Sequence, residues 1–193
     1  VSMELAKFHG ICANVVFPLP NAFLYKEVFR KLVDDLPEKD PFARERTVWR
    51  VLRMLPDFAG RPEFAPLRRY LRRDDDGLRR FQLAGRIADL FDQYIIYRSD
   101  MIRKWDQGKE PDNWQAILWR AMAEEIGQKH RADVADEVQK QLADPNIDLI
   151  QNGVPERVSI FGISALPPFH IEMFAALSQR IPVRVFLLNP THG

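Results

Sequence analysis

The sequence has a single cysteine, Cys12, among its 193 residues. One thiol excludes an internal disulfide framework and a zinc site built on cysteines, and it fits a reducing compartment, so we expect a cytoplasmic location. No run approaches the roughly 18 apolar residues of a membrane span, and the amino end lacks the pattern of a secretory signal. The sequence therefore predicts no membrane partner.

The chain also lacks a bias in charge. Its 28 Lys and Arg residues against 27 Asp and Glu residues leave a formal net charge of +1. Overall charge therefore says nothing about a nucleic-acid partner, and any basic surface must be local. The 46% of hydrophobic residues are ample for a compact core.

Signatures of catalysis are missing as well. A nucleotide-hydrolysing domain needs a glycine-rich loop ending in Gly-Lys-Ser/Thr and acidic residues at a strand end to hold magnesium. Residues 162–168, which follow a predicted strand, contain no acid. Ser164 after Gly162 begins a nucleophile-elbow pattern, but the pattern fails at Leu166. We therefore predict that this chain has no catalytic residues.

The sequence shows little sign of a metal site. The four histidines are at positions 9, 130, 170 and 192, and none lies three to five residues from another histidine or from cysteine. Zinc sites usually show such spacing. The sequence therefore predicts no metal ion and no cofactor in this chain.

What is present is mainly helical patterning. Apolar residues from Met3 to Phe8 have helical spacing that stops at Gly10, and the apolar, β-branched residues 11–17 predict a buried strand. Helical spacing then predicts helices over residues 21–35 (capped by Asn21), 47–58, 62–73, 78–97, 113–127 and 132–142. Since the chain opens inside a helical pattern, we expect it to be a piece of a longer polypeptide.

The last forty residues have a different pattern. Compact β-type runs at 158–163 and 183–188 flank a helical segment at 167–180, which predicts a β-α-β unit with parallel strands. Together with the first strand, this predicts an α/β fold in which a mostly helical subdomain interrupts a partial parallel sheet. The expected division is 1–36 for the first part of the core, 37–153 for the helical insertion and 154–193 for the remainder of the core.

Three strings carry a resemblance to a known family. They are Phe-Pro-Leu-Pro at 17–20, Asp-Leu-Phe-Asp-Gln-Tyr at 89–94 continuing to Tyr97-Arg98, and Phe-Gly-Ile-Ser-Ala-Leu-Pro-Pro at 161–168. In order and spacing they resemble the RecC family, the gamma subunits of bacterial exodeoxyribonuclease V, over essentially the whole chain. The resemblance implies a RecA-like, P-loop NTPase type of helicase core whose ATPase motifs have decayed.

The resemblance also implies a role. The chain would hold single-stranded DNA and scan it for the Chi signal during recombinational repair of double-strand breaks. A nuclease-helicase subunit of RecB type and a second helicase subunit of RecD type would use the ATP and magnesium. The strand-reading residues carried over from the family are Leu19, Tyr25, Asp89, Leu90, Asp92, Gln93, Arg98 and Arg131. Tyr25 departs from the family pattern, which has tryptophan there, although tyrosine can still stack on a base.

Each group also has a structural interpretation. Asp89, Asp92 and Gln93 share one helix face at i, i+3 and i+4, where they could pair with Arg86 and Arg98 or cap neighbouring helices instead of contacting base edges. The whole chain could likewise be a helical protein-interaction module that docks partner subunits without touching bases.

Three further sets of residues have alternatives. The arginines at 68, 69, 72, 73, 79 and 80 could contact phosphates, but Asp74, Asp75 and Asp76 lie among them, which is typical of a solvated helix end and turn. The tryptophans at 49, 105, 114 and 119 are expected in the core. Cys12 is expected to be a small buried hydrophobe.

Overall fold

The computed structural model describes residues 2–13, 15–74, 76–163 and 165–187. We number its helices α1 to α9 and its strands β1 and β2. The helical elements are α1 (Ser2–His9), α2 (Pro20–Phe23, Leu24–Phe29 and Arg30–Leu32), α3 (Arg44–Phe58), α4 (Pro62–Phe64, Ala65–Tyr70 and Leu71–Arg73), α5 (Leu78–Tyr97), α6 (Ser99–Asp106), α7 (Trp114–Ile126), α8 (Arg131–Ala143) and α9 (Pro168–Ser178). The strands are β1 (Val158–Phe161) and β2 (Val183–Phe186).

The predicted α/β fold class is wrong. The described residues are mostly helical, and their only sheet is the parallel pair of β1 and β2, in which Val158 lies opposite Val183. No RecA-like P-loop core is present in this part of the chain. The β-α-β unit itself is as predicted. A sequence pattern can suggest such a unit, but it does not show how many further strands join the sheet.

The strand predicted at 11–17 is one source of that error. Its described residues have no regular structure, and Ile11 and Val16 are about four-fifths exposed; Asn14 lies outside the described residues. A β-branched apolar run forms a strand only when another strand offers backbone hydrogen bonds, because β propensity depends on context. No strand of the described residues pairs with this run.

The buried side chains form two clusters. The first brings together α3, α5, α6 and α7 around the large, fully buried rings of Phe91, Trp105 and Trp119. The second packs α2, α8, α9 and the strands around residues such as Phe29 and Leu177. The first cluster lies within the predicted segment 37–153, whereas the second combines residues from all three predicted segments. The division into domains stays a prediction.

Most helices were predicted to within a few residues. α5 has the predicted bounds, and α7 begins after Asn113, whose side chain accepts a hydrogen bond from the Gln115 backbone N–H at 3.0 Å, and ends at Gly127 with φ 62°. Such caps satisfy the free backbone groups at helix ends.

No helix in the described part of the chain is long and apolar enough to cross a membrane.

Two helices differ from expectation. α2 begins at Pro20 after Leu19, not at a cap formed by Asn21, and its middle segment Leu24–Phe29 is π-helical. α6 was missed altogether. It is only eight residues long and buries two side chains, Ile102 and Trp105, so its apolar pattern is too short to stand out.

Candidate nucleic-acid interface

A buried arginine joins three parts of the chain. Arg131, the first residue of α8, has a side chain that is 6% exposed. Its Nε lies 3.0 Å from an oxygen of Asp40, in the loop after α2, and its terminal nitrogen donates to Asp92 on α5. A buried guanidinium requires such partners because desolvation of an unpaired charge is costly. The loop, α5 and α8 are thereby held in one arrangement.

Asp40 is the most deeply buried carboxylate of this group. It accepts a hydrogen bond from the Phe42 backbone N–H at 2.8 Å, in addition to its contact with Arg131. Burial raises the pKa of Asp40 above the ordinary value, and the positive charge of Arg131 offsets part of that rise. The ion pair and the turn at Phe42 therefore depend on the same side chain.

The polar face of α5 contains four of the predicted strand-reading residues. Asp89 is paired with Arg44 of α3, Asp92 is paired with Arg131, and Gln93 is exposed. Leu90, which follows Asp89 on the same helix, is partly buried. The structural interpretation correctly expected these carboxylates to be ion-paired. Their partners are Arg44 and Arg131, which lie far away in sequence, instead of Arg86 and Arg98.

Tyr25 faces the interior. Its ring is 8% exposed, and its hydroxyl donates to the Pro37 carbonyl oxygen at 2.9 Å. Burial, followed by the nearby charge of Asp40, raises the pKa of Tyr25 to about 12. In this conformation the ring presents little surface on which a base could stack.

Leu19 and Arg98 occupy more open positions. Leu19 is 77% exposed just before α2, and Arg98, just after α5, lies 3.9 Å from Asp100 in a solvent-exposed ion pair. No hydrogen bond or ion pair of the described residues joins either one to the other six predicted residues. The structure thus brings Asp92 and Arg131 into direct contact and places Asp89 and Gln93 on the same helix face.

The structure adds a second polar network next to Arg131. The Nε2 atom of His130 lies 2.9 Å from an Asp106 oxygen and 3.2 Å from an Asp133 oxygen, and Trp119 Nε1 donates to Asp106 at 2.8 Å. Burial raises the pKa of Asp133, and His130 offsets part of that rise. His130 and Asp133 lie three residues apart at the start of a helix, and this spacing was a sequence signal of the network. The search for histidine and cysteine spacing missed it.

Among the described residues, Asp106, His130 and Asp133 form a group that could hold a metal ion. One ligand atom from each of Asp106, His130 and Asp133 lies within 4.8 Å of the others. However, His130 Nδ1 accepts the Asp133 backbone N–H as the cap of α8, which leaves the ring proton on Nε2, facing the carboxylates. A metal ligand needs a lone pair there. The arrangement therefore favours a hydrogen-bonded network.

The remaining predicted residues have mixed outcomes. Trp105 and Trp119 are buried as expected, Trp114 packs against the first cluster, and Trp49 is 65% exposed, contrary to expectation. Asp74 accepts backbone hydrogen bonds at the start of α5, which agrees with a helix end and turn in the arginine-rich segment. Cys12 is only partly buried. Ser164, Asp75, His192 and the last residue predicted for β2, Leu188, lie outside the described residues.

These features define a helix-rich protein whose candidate interface is a polar helix face supported by buried ion pairs. The family model described as RecC, N-terminal domain, matches residues 1–193. The RecBCD enzyme subunit RecC of Escherichia coli is 35% identical over 98% of the chain, that of Haemophilus influenzae 30% over 98%, and that of Mycolicibacterium smegmatis 26% over 99%.

The chain belongs to the RecC family, and it matches that family's N-terminal domain. The resemblance noted in the sequence is therefore confirmed. The chain spans 17–19% of the length of these three relatives.

Proposed function

We propose that this chain is a non-catalytic, DNA-binding and scaffolding part of an exodeoxyribonuclease V complex in the cytoplasm. It holds one unwound strand and scans it for the Chi signal, while subunits of RecB and RecD type use ATP and magnesium. Family membership over the whole chain carries the proposal, because the relatives are named as subunits of the RecBCD enzyme.

The polar face of α5 supports strand reading in particular. Gln93 is exposed next to the partly exposed carboxylates of Asp89 and Asp92, and amide and carboxylate groups can hydrogen-bond to the edges of unpaired bases. The ion pairs with Arg44 and Arg131 hold these carboxylates in fixed positions. Specific recognition requires contacting side chains whose positions are fixed by other side chains that support them.

The test compares variants of the full-length protein assembled with its partner subunits. Gln93→Ala and Arg98→Ala change exposed residues, so they should leave folding and assembly intact. We expect their preference for a Chi-containing oligonucleotide over a scrambled one to fall, with unwinding retained. Lys140→Ala, at an exposed position of α8, is the control and should leave the preference unchanged.

The alternative is a docking module that never contacts bases. It predicts an unchanged preference in Gln93→Ala and Arg98→Ala, together with weakened subunit assembly. That result, measured in the same samples by binding and by sedimentation, would refute strand reading by this face.

A further inference from the structure

Arg131 stands at a point where a helix by itself holds a side chain poorly. It is the first residue of α8, and the ends of a helix fray because their backbone groups lack intrahelical partners. A positive charge at this end also works against the helix dipole. The two partners of Arg131, Asp40 and Asp92, lie outside α8. The position of Arg131 therefore depends on how the start of α8 is anchored.

His130, the residue before it, provides an anchor. Its side chain is 3% exposed, and its Nδ1 accepts the Asp133 backbone N–H as the cap of α8. Its Nε2 lies 2.9 Å from one oxygen of Asp106 at the end of α6, and Trp119 of α7 donates to the other oxygen at 2.8 Å. One buried ring thus connects the first turn of α8 with two other helices.

The same ring contacts the loop that contains Asp40. The rings of Phe42 and His130 meet edge to face, with centroids 6.0 Å apart, and the Phe42 backbone N–H donates to Asp40. The two members of the Asp40–Arg131 ion pair therefore lie within two residues of side chains that contact each other. Because hydrogen bonds and ion pairs weaken steeply as their geometry is lost, a shift of the His130 ring disturbs this pair from both ends.

α6 also holds α8 at a second point. Arg103 donates to both carboxylate oxygens of Asp136, at 2.8 and 2.7 Å, and to the Ala132 carbonyl oxygen at 3.3 Å. A bidentate pair of this kind fixes direction as well as distance. In sequence, Arg131 lies between the contacts of His130 and those of Arg103, so α6 restrains the helix on both sides of it.

We propose that His130 is a positioning residue for strand reading. It anchors the first turn of α8 to α6 and α7 and thereby holds Arg131 between Asp40 and Asp92, and Arg131 in turn keeps the polar face of α5 in place. The His130 ring is buried and faces carboxylates, so it acts without touching a base. The inference rests on the proposed function, which assigns base contacts to the polar face of α5.

His130→Asn separates the anchor from the cap, because asparagine caps helices well but its shorter side chain ends before Asp106. In the full-length protein assembled with its partner subunits, the preference for a Chi-containing oligonucleotide over a scrambled one should fall about fivefold or more, the size of one lost base contact, with unwinding retained. Asn113→Ala, which removes the cap of α7, is the control and should keep the preference. Unchanged preference in His130→Asn, or an equal fall in Asn113→Ala, would overturn the inference.

Hydrogen exchange in the full-length protein measures the positioning step without DNA. No hydrogen bond or ion pair of the described residues joins His130 to Asp92, so the proposed link between them runs through Arg131. His130→Asn and Asp92→Asn should each speed the exchange of amides in the first turn of α8. Independent sites have additive effects on the logarithm of the rate, whereas we expect the double variant to fall short of the sum. Asp89→Asn, on the same face but paired with Arg44, is the control and should add fully to His130→Asn.

The two measurements separate this inference from the proposed function. Additive effects of His130→Asn and Asp92→Asn overturn the inference whatever the Chi preference. Coupled effects with a Chi preference that falls in Gln93→Ala but not in His130→Asn overturn it as well, because the anchor then does not serve strand reading. An unchanged preference in both Gln93→Ala and Arg98→Ala refutes the proposed function instead, and hydrogen exchange alone then decides whether His130 positions Arg131.

Discussion

Asp92 and Arg131, both expected from the family resemblance to read DNA, are ion-paired with each other across the contact between α5 and α8. Arg131 also contacts Asp40. A base that approached either residue would have to compete with its existing partner. The pair therefore acts first as a support for the polar face of α5, and exposed neighbours such as Gln93 are better placed to contact a strand.

The first prediction concerns this buried arginine. Arg131→Ala should lower the free energy of unfolding by about 3–5 kcal/mol, because it leaves Asp40 and Asp92 without their cationic partner. Urea denaturation monitored by circular dichroism measures the change. Arg98→Ala removes an exposed arginine and should stay within about 0.5 kcal/mol of wild type. Equal stability of the two variants would contradict a supporting role for Arg131.

The second prediction concerns acid sensitivity at His170. Its ring is 4% exposed, its Nε2 lies 2.6 Å from Asn21 Oδ1, and burial, followed by the charge of Arg131, lowers its pKa below the ordinary value of 6.5. Because the fold disfavours the protonated ring, the stability that His170 contributes is complete above pH 6.5 and is lost as the pH falls through its folded pKa.

His170→Gln should therefore lose less stability than wild type between pH 8 and pH 5. Urea unfolding at the two pH values measures the difference. His9→Gln, which removes an exposed histidine from α1, is the control. If His9→Gln shows the same gain in acid tolerance, the burial of His170 is not the cause.

The third prediction tests the interior position of Tyr25. Tyr25→Phe removes the hydrogen bond to Pro37 and should cost about 1 kcal/mol of stability. In wild type, ultraviolet titration should show that Tyr25 ionises near pH 12. This signal should disappear in Tyr25→Phe. If Tyr25 ionises instead near the ordinary tyrosine value of about 10, the ring is open to solvent.

The fourth prediction concerns the cap of α7. Asn113→Ala removes the acceptor for the Gln115 backbone N–H and should destabilise the protein by about 1 kcal/mol, measured by thermal unfolding. Asn113→Ser retains a capping oxygen and should be close to wild type. If the two variants lose the same stability, the cap contributes nothing.

Elements set by interactions between residues close in sequence were predicted better than those that depend on distant segments. α5 and α7 were predicted well, because a twenty-residue apolar stripe and an Asn and Gly pair at the ends of a helix are local signals. The run at 11–17 was misassigned, because a strand needs a partner that its own residues do not specify. α6 was too short for its periodicity to be distinguished.

The candidate site shows the same limit. The i, i+3, i+4 spacing placed Asp89, Asp92 and Gln93 on one face, and the motif that includes them indicated the family. The structural interpretation had these residues capping neighbouring helices or pairing with Arg86 and Arg98, whereas the folded chain pairs the two carboxylates with Arg44 and Arg131. It also expected Trp49 in the core, since helical spacing alone does not show which face of a helix another element covers.

The sequence by itself determined most of the helices, the β-α-β unit and the family, because each depends on residues close together in the chain or on short strings of characteristic order. Only the tertiary structure decided that Arg131 pairs with Asp92, that Tyr25 is buried and that the sheet has two strands in the described residues. These features depend on which distant segments pack together, and buried charges take whichever partners that packing brings within reach.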